Sequence, residues 1–178
     1  MPAATALLPG SQVAERIASA VAGAVEEATE GGVRVRADRL LEVARFLHDD
    51  RDLDARYLIA LSGLDRHDHF EVVYHLASLS HNHELVLKVR AERDEPEVPS
   101  VVSVWLGAHL QEREAYDLLG IRFSGHPSLK RIFLWEGFPG HPLRKDFLAL
   151  PGGFHPGLQR FPKEDPNQWG GEFRAHQD

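Results

Sequence analysis

Residues 111–132 read Gln-Glu-Arg-Glu-Ala-Tyr-Asp-Leu-Leu-Gly-Ile-Arg-Phe-Ser-Gly-His-Pro-Ser-Leu-Lys-Arg-Ile, and residues 140–147 read Gly-His-Pro-Leu-Arg-Lys-Asp-Phe. A charged helical segment opens the first stretch and should end at Gly120, because glycine readily adopts the left-handed geometry that often closes a helix. Each stretch then contains a Gly-His-Pro triplet that is followed by cationic residues. We expect the rest of the chain to form a globular body that presents these stretches to another molecule.

The composition is that of a globular protein and excludes several functions. A length of 178 residues fits one domain with a modest core. The net charge of −7 argues against general nucleic-acid binding, which normally requires a basic excess. No apolar run approaches the ~18 residues that span a bilayer, and the N-terminus lacks the basic start of a secretory signal. We therefore expect a cytoplasmic protein without a membrane span.

The chain contains no cysteine. Disulfides, zinc–thiolate sites and Cys-ligated iron–sulfur clusters are thereby excluded within it. Dinucleotide, P-loop and Gly-x-Ser-x-Gly motifs are absent from the sequence as well. If the protein belongs to a redox system, another subunit must carry the clusters.

Apolar spacing in the N-terminal part predicts two helices and a short strand. A first amphipathic helix should run from Ser11 to the Gly31-Gly32 pair. Alternation over residues 33–36 predicts a short strand. Asp38 is a plausible N-cap for a second helix that ends near His48.

Three strands should follow the second helix. Residues 57–61 form a continuous apolar run, which is typical of a buried central strand. Residues 70–79 and 85–90 alternate between two faces. The short link between them predicts a hairpin, in which Asn82 can take a positive φ.

A last helix should occupy residues 101–119, with an interruption at Gly107. The order of elements predicts an α+β fold: a two-layer domain with helices on one face of a mixed or antiparallel sheet, and an extended C-terminal arm. We divide the chain into a flexible lead (residues 1–10), an α+β body (residues 11–119) and an extended partner-docking arm (residues 120–178). Proline and glycine block regular structure late in this arm, whose rings should anchor it on the body or on a partner: Phe154, Phe161, Trp169 and Phe173.

The carboxylates of the last helix do not form an acid–base pair. At ~100° per residue, Glu112 and Glu114 point about 200° apart and cannot flank one substrate atom. Arg113 and Asp117 are four residues apart and are expected to form an ion pair. We predict no catalytic residue in the chain.

Two histidine pairs, His67/His69 and His81/His83, have a spacing of two residues. On a strand this spacing would place both imidazoles of a pair on one face, where they could bind a metal. Both pairs fall at turns, however, which favours histidine as an ordinary polar turn residue. His75, within an apolar strand, is expected to be a hydrogen-bonded core residue.

The two Gly-His-Pro triplets aim their histidines by a stiff local backbone, because proline restricts the residue before it. Such an imidazole suits a buried hydrogen bond or a docking contact. The cations near the triplets, together with aromatic side chains, indicate a partner-docking strip. The predicted docking residues are Glu112, Arg113, Glu114, His126, Lys130, Arg131, Trp135, His141, Arg144 and Lys145.

Three ordered blocks of sequence between Leu40 and Phe147 carry a family resemblance. The blocks are residues 112–121 with His126-Pro127, Leu129 and Arg131-Ile132; residues 140–147; and residues 70–76 with His81-Asn82. They resemble the C-subunit family of proton-pumping NADH:quinone oxidoreductase, the thirty-kilodalton subunit of respiratory complex I. Phe133 and the Leu134-Trp135-Glu136 run depart from the family pattern without disturbing the blocks.

The resemblance implies a subunit of an NADH-dependent translocase that has no catalytic residues of its own. It would lie peripherally on the cytoplasmic side of the cell membrane and brace the hydrogenase-like large (D) subunit, which forms the quinone pocket. Adjacent subunits would carry the iron–sulfur clusters, and FMN, clusters and quinone would all be bound by partner subunits, with none in this chain. Two alternatives remain: the equivalent subunit of a membrane-bound energy-converting hydrogenase complex, and a free metal enzyme that uses the two histidine pairs.

Overall fold

The computed structural model describes residues 5–147, and the four aromatic residues predicted as anchors of the arm lie outside this range. Along the chain the elements are β1 (Ala6–Leu7), α1 (Gly10–Ala20), β2 (Val25–Thr29), β3 (Gly32–Val35), a 3-10 turn (Ala37–Arg39), α2 (Leu40–Asp49), β4 (Tyr57–Asp65), β5 (His69–Ser78), β6 (His83–Glu92), β7 (Glu97–Pro99), α3 (Ala108–Leu119) and β8 (Arg122–Ser124).

A mixed sheet forms one layer of the domain. Its strand order is β2-β3-β6-β5-β4, with β1 added beside β6, and a separate pair joins β7 to β8. The pairs that β1 and β3 make with β6 are parallel, and the other pairs of the large sheet are antiparallel. One face of β5 packs with all three helices in a single core cluster, to which it contributes Phe70, Val72, Tyr74 and Leu76. The predicted fold class is confirmed.

The first predicted helix is wrong in its second half. Helix α1 ends at Ala20, after Val13 and Ile17 have been buried in the core. Residues 25–29 form β2, which pairs antiparallel with β3. Valine and alanine suit a helical stripe as well as a strand, and pairing with β3 decides between them here.

Strand β4 lies at the edge of the sheet, so the prediction of a buried central strand is wrong. Tyr57 and Ile59 are about half exposed. Helix α3 packs beside this edge, and the Gln111 side-chain oxygen accepts the Leu61 N–H at 2.5 Å. A covering helix is a common protection of an edge strand.

Smaller predictions divide in the same way. Asn82 has φ +52° in the β5–β6 hairpin, as predicted. His75 is exposed and is not a core residue, because the alternation of β5 turns it away from the face that holds Tyr74. Asp38 accepts hydrogen bonds from Arg36 and does not cap α2.

Helix α3 closes as the sequence predicts, and Gly120 follows it in left-handed geometry with φ +75°. The chain then enters β8, and Ile121 and Phe123 are buried against the body. The described part of the predicted arm is thus packed on this chain itself. Within residues 5–147, no helix has the length and apolarity needed to cross a bilayer.

Candidate functional site

Residues 125–147, here called the strap, fold back onto the C-terminal end of α3 around one buried carboxylate. Asp117 Oδ2 accepts the backbone N–H groups of Ile132, Phe133 and Leu134 at 2.9, 2.8 and 3.0 Å. Its Oδ1 accepts Arg131 Nη1 at 3.1 Å. Burial opposes ionisation of Asp117, but the three N–H donors and the guanidinium outweigh it and hold the pKa of the carboxyl below its usual range.

The predicted ion pair between Arg113 and Asp117 is therefore wrong. Asp117 is fully buried on the side of α3 that faces the strap, where Arg131 reaches it. Arg113 instead donates to the carbonyl oxygens of Lys130 and Arg131 at 3.0 and 3.2 Å. Helical spacing permits the pair, but a buried carboxylate is better satisfied by several converging donors.

The second Gly-His-Pro triplet caps α3. His141 Nδ1 donates to the carbonyl of Asp117 at 2.9 Å, and the Leu143 N–H donates to Leu118 at 3.0 Å. Arg144 Nε donates to the carbonyl of Leu119 at 2.6 Å. Three carbonyls that a helix end leaves without intrahelical partners are thus satisfied in sequence order. Burial, together with the nearby arginines, lowers the pKa of His141 and favours the neutral imidazole that this cap uses.

The first triplet binds the same helix in its first turn. His126 Nδ1 accepts the Ser128 N–H at 3.0 Å, which leaves Nε2 to carry the proton and donate to the His109 carbonyl at 2.9 Å. The imidazole that sequence reasoning left open between a hydrogen bond and a docking contact makes the hydrogen bond. Both triplets therefore attach the strap to α3, one near each end of the helix.

A second carboxylate fastens the end of the strap to the sheet. Asp65 Oδ1 accepts Arg93 Nη1 and the His67 N–H, both at 2.8 Å, and Oδ2 accepts the Lys145 N–H at 2.9 Å. Arg93 also pairs with Asp146 at 2.7 Å. Burial opposes ionisation, but these donors hold the pKa of Asp65 well below its usual range. Sequence reasoning missed this cluster because its members are distant along the chain.

Glu112, one of the predicted docking residues, is fully buried. Its Oε2 accepts the Ser100 hydroxyl at 2.6 Å and its Oε1 accepts the Val101 N–H at 2.8 Å. Burial raises its pKa to about 7, because these two donors compensate only part of the desolvation. The buried Tyr74 hydroxyl, which has no hydrogen-bond partner among the described residues, is also disfavoured from ionising by burial and by the charge of Glu112.

Glu112→Gln should stabilise the protein at high pH and be nearly neutral at low pH. A carboxyl whose pKa rises on folding contributes stability below its unfolded pKa, and this contribution is lost as pH rises through about 7. The difference in unfolding free energy between variant and wild type should grow by roughly 2–3 kcal/mol between pH 5 and pH 8. Urea unfolding across this range measures it, with the exposed Glu114→Gln as the matched control. A difference that is independent of pH would contradict the expectation.

The other predicted docking residues fall into two groups. Arg131, His126, His141 and Arg144 are partly buried and hold the strap through the bonds described above. Glu114, Lys130 and Lys145 are exposed. Trp135 is partly buried and contacts Phe138 edge-on, with ring centroids 4.6 Å apart.

The two histidine pairs are placed at turns. His81 and His83 stack at 5.7 Å, and their Nε2 atoms lie 2.9 and 2.8 Å from the carbonyls of Arg51 and Leu53. His69 Nδ1 lies 2.9 Å from an Asp68 carboxylate oxygen. Among residues 5–147, no group of three or more His, Cys, Asp or Glu side chains is arranged to hold a metal ion.

Fold and site together define a two-layer α+β domain whose last helix is capped by a strap of Gly-His-Pro segments. The chain belongs to the family of the respiratory-chain NADH dehydrogenase 30 Kd subunit, whose model matches residues 33–151. It is 46% identical over 130 residues to the NADH-quinone oxidoreductase C subunit of Roseiflexus castenholzii, covering 71% of this chain and 75% of that protein. It is 44% identical over 135 residues to the C 2 subunit of Rhizobium etli, covering 74% and 71%. The resemblance stated from the sequence is confirmed.

Two solved structures share the fold. A trypsin-resistant fragment (1-134) of Nqo5 matches with a TM-score of 0.53 and 30% identity, covering 67% of this chain and 98% of the fragment. The archaeal membrane-bound sulfane sulfur reductase, a respiratory membrane complex, contains a chain that matches with a TM-score of 0.62 over 78% of this chain and 85% of that one. At 23% identity, the second likeness shows the fold alone.

Proposed function

We propose that the chain is a peripheral-arm subunit of a proton-translocating NADH:quinone oxidoreductase and braces its hydrogenase-like large subunit, without contributing a catalytic residue. The observation that carries this proposal is the family match over residues 33–151, which includes all of α3 and the strap. On this proposal the protein lies on the cytoplasmic side of the membrane. FMN, iron–sulfur clusters and quinone are bound by the partner subunits.

The chemistry of the chain supports a bracing role. The sequence has no cysteine, so Cys-ligated clusters must be held by other chains. Asp65 and Asp117 accept converging donors from the chain's own backbone and arginines, which fixes the strap on the body. A surface held in this way is pre-organised, and pre-organisation lowers the entropic cost of binding a partner.

An affinity pull-down of the tagged chain from host membranes in mild detergent tests the proposal. Co-purification of flavin, iron–sulfur clusters and NADH:quinone activity supports it. Recovery of a nickel-containing hydrogenase instead would assign the chain to the equivalent subunit of that kind of complex. Recovery of the chain alone, with stoichiometric metal, would overturn the bracing role.

Charge reversal at Lys130 and Lys145 should reduce the amount of complex recovered, if the exposed cations of the strap steer a partner. Arg144 is unsuitable for this test because its Nε holds the Leu119 carbonyl and its guanidinium lies over Phe70 at 4.9 Å. The double variant Lys130→Glu, Lys145→Glu is expected to lower the association rate about tenfold at low salt, with a smaller effect at high salt.

The matched control for this double variant is Lys88→Glu with Arg90→Glu, which reverses two charges on β6 of the sheet. Both variants should unfold at the temperature of the wild type. Equal recovery and equal salt dependence for wild type and the strap variant would count against a cationic docking strip.

A further inference from the structure

A groove of about 130 Å³ lies between the edge of the sheet and the last helix. Strand β4 lines it with Ser62 and Gly63, and α3 lines it with Glu114 and Leu118. The strap adds Leu143 at its rim. Three separate segments of the chain thus form one concave surface.

The rim of this groove is unusually apolar for a free surface. Leu143 is 59% exposed, and so is Leu110, which precedes Glu114 by one helical turn. Leu110, Glu114 and Leu118 are spaced four residues apart, so they follow one line along α3. Leu106, which is 79% exposed, lies four residues before Leu110, just ahead of the helix.

The exposed leucine of the strap is held in place. The Leu143 N–H donates to the Leu118 carbonyl at 3.0 Å, and the flanking His141 and Arg144 bind the carbonyls on either side. A side chain on a fixed backbone loses little freedom when a partner covers it. The structure therefore keeps an apolar group ready at the edge of a groove.

The charge beside the groove is negative and uncompensated. Glu114 is exposed and forms no ion pair within residues 5–147. The adjacent Arg113 is turned away, because it donates to the carbonyls of Lys130 and Arg131. A ligand for this surface would combine an apolar group with a positive charge.

We propose that this surface, the leucine groove of Leu110, Glu114, Leu118 and Leu143, receives a segment of another subunit of the complex. The segment places an apolar side chain between Leu110 and Leu143 and a lysine or arginine against Glu114. This inference rests on the proposed function, because it takes the partner from the same complex. It adds a second contact surface, distinct in chemistry from the cations of the strap.

The double variant Leu110→Glu, Leu143→Glu tests the groove in the full-length tagged chain. A carboxylate at each position would have to be desolvated on docking, beside the existing charge of Glu114. Complex recovered from membranes in mild detergent, quantified by its flavin, should fall at least tenfold. The matched control is Leu7→Glu with Leu79→Glu, at leucines that are 55% and 68% exposed on β1 and the β5–β6 turn, and it should leave recovery unchanged.

The charge at the groove is tested separately. Glu114→Lys should reduce recovery several-fold and Glu114→Gln should reduce it less, while Glu95→Lys, at another exposed carboxylate, should have no effect. If the double leucine variant does not fold, Leu110→Ala with Leu143→Ala replaces it and should still lower recovery.

The two proposals fail differently in this experiment. Recovery of the complex by wild type and by the groove variants in equal yield overturns the leucine groove and leaves the proposed function intact. Failure of the wild-type chain to recover any other subunit overturns both.

Discussion

Asp117→Asn is expected to release the strap from α3 and to lower the free energy of unfolding by about 3 kcal/mol. The carboxylate is fully buried and accepts four donors, from Arg131 and from three successive backbone N–H groups. An asparagine presents an NH2 group to one of these sets of donors and leaves Arg131 without a counter-charge. Removal of one partner from a buried charged pair typically costs about 3–5 kcal/mol, and the remaining amide oxygen recovers part of it.

Two measurements separate loss of the strap from general unfolding. Urea unfolding followed by circular dichroism gives the change in stability, with loss of a carboxylate at an exposed position, Glu114→Gln, as the control. Limited trypsin digestion should cut the variant after Lys130 or Arg131 at concentrations that leave the wild type intact. A variant as stable and as resistant as the wild type would show that Asp117 does not hold the strap.

The pH dependence gives a further check on Asp117. A carboxyl whose pKa is lowered on folding contributes stability above its unfolded pKa of about 3.9, and this contribution is lost as pH falls through the lower folded value. The wild type should therefore lose stability on acidification below about pH 4 faster than Asp117→Asn does. Asp65, whose pKa is also lowered, contributes the same trend in both proteins.

The sequence predicts those parts of the fold whose periodicity has one interpretation. Phe70, Val72, Tyr74 and Leu76 alternate with less buried neighbours, and the turn at Asn82 joins their strand to β6. Residues 25–29 could not be assigned, because a spacing that satisfies a helix also fits an edge strand. The edge position of β4 was equally hidden, since an apolar run does not reveal that α3 will cover one side of it.

The site was predictable in location but not in its contacts. The doubled Gly-His-Pro triplets mark the segments that bind α3, and both histidines do so. Asp117, by contrast, finds its donors 14 to 17 residues away, and Asp65 binds the Lys145 N–H across 80 residues. Helical spacing describes neighbours within α3 and contains no information on such contacts. It therefore paired Asp117 with Arg113, which lies close in sequence.

Gly120→Val is expected to have the largest effect, a loss of at least about 4 kcal/mol or failure to fold. Gly120 has φ +75°, a conformation that costs an L-residue roughly 1–2 kcal/mol and a β-branched residue more. A Cβ at this position would lie 2.5 Å from His141 Cδ2 and 2.6 Å from Arg144 Nη2. Both of these side chains cap α3, so displacing them leaves the carbonyls of Asp117 and Leu119 without partners.

Alanine variants divide this cost into its two parts. Gly125 has φ +80°, and a Cβ built there meets nothing within 4 Å, so Gly125→Ala should lose only the roughly 1–2 kcal/mol of backbone strain. Gly120→Ala adds the collision with His141 and Arg144 to a similar strain. Thermal or urea unfolding of the pair then isolates the cost of separating the strap from the helix end, which we expect to exceed about 1 kcal/mol because two capping hydrogen bonds are lost. Equal losses in the two variants would mean that the strap yields without cost, and the cap formed by the second Gly-His-Pro triplet would not stabilise the fold.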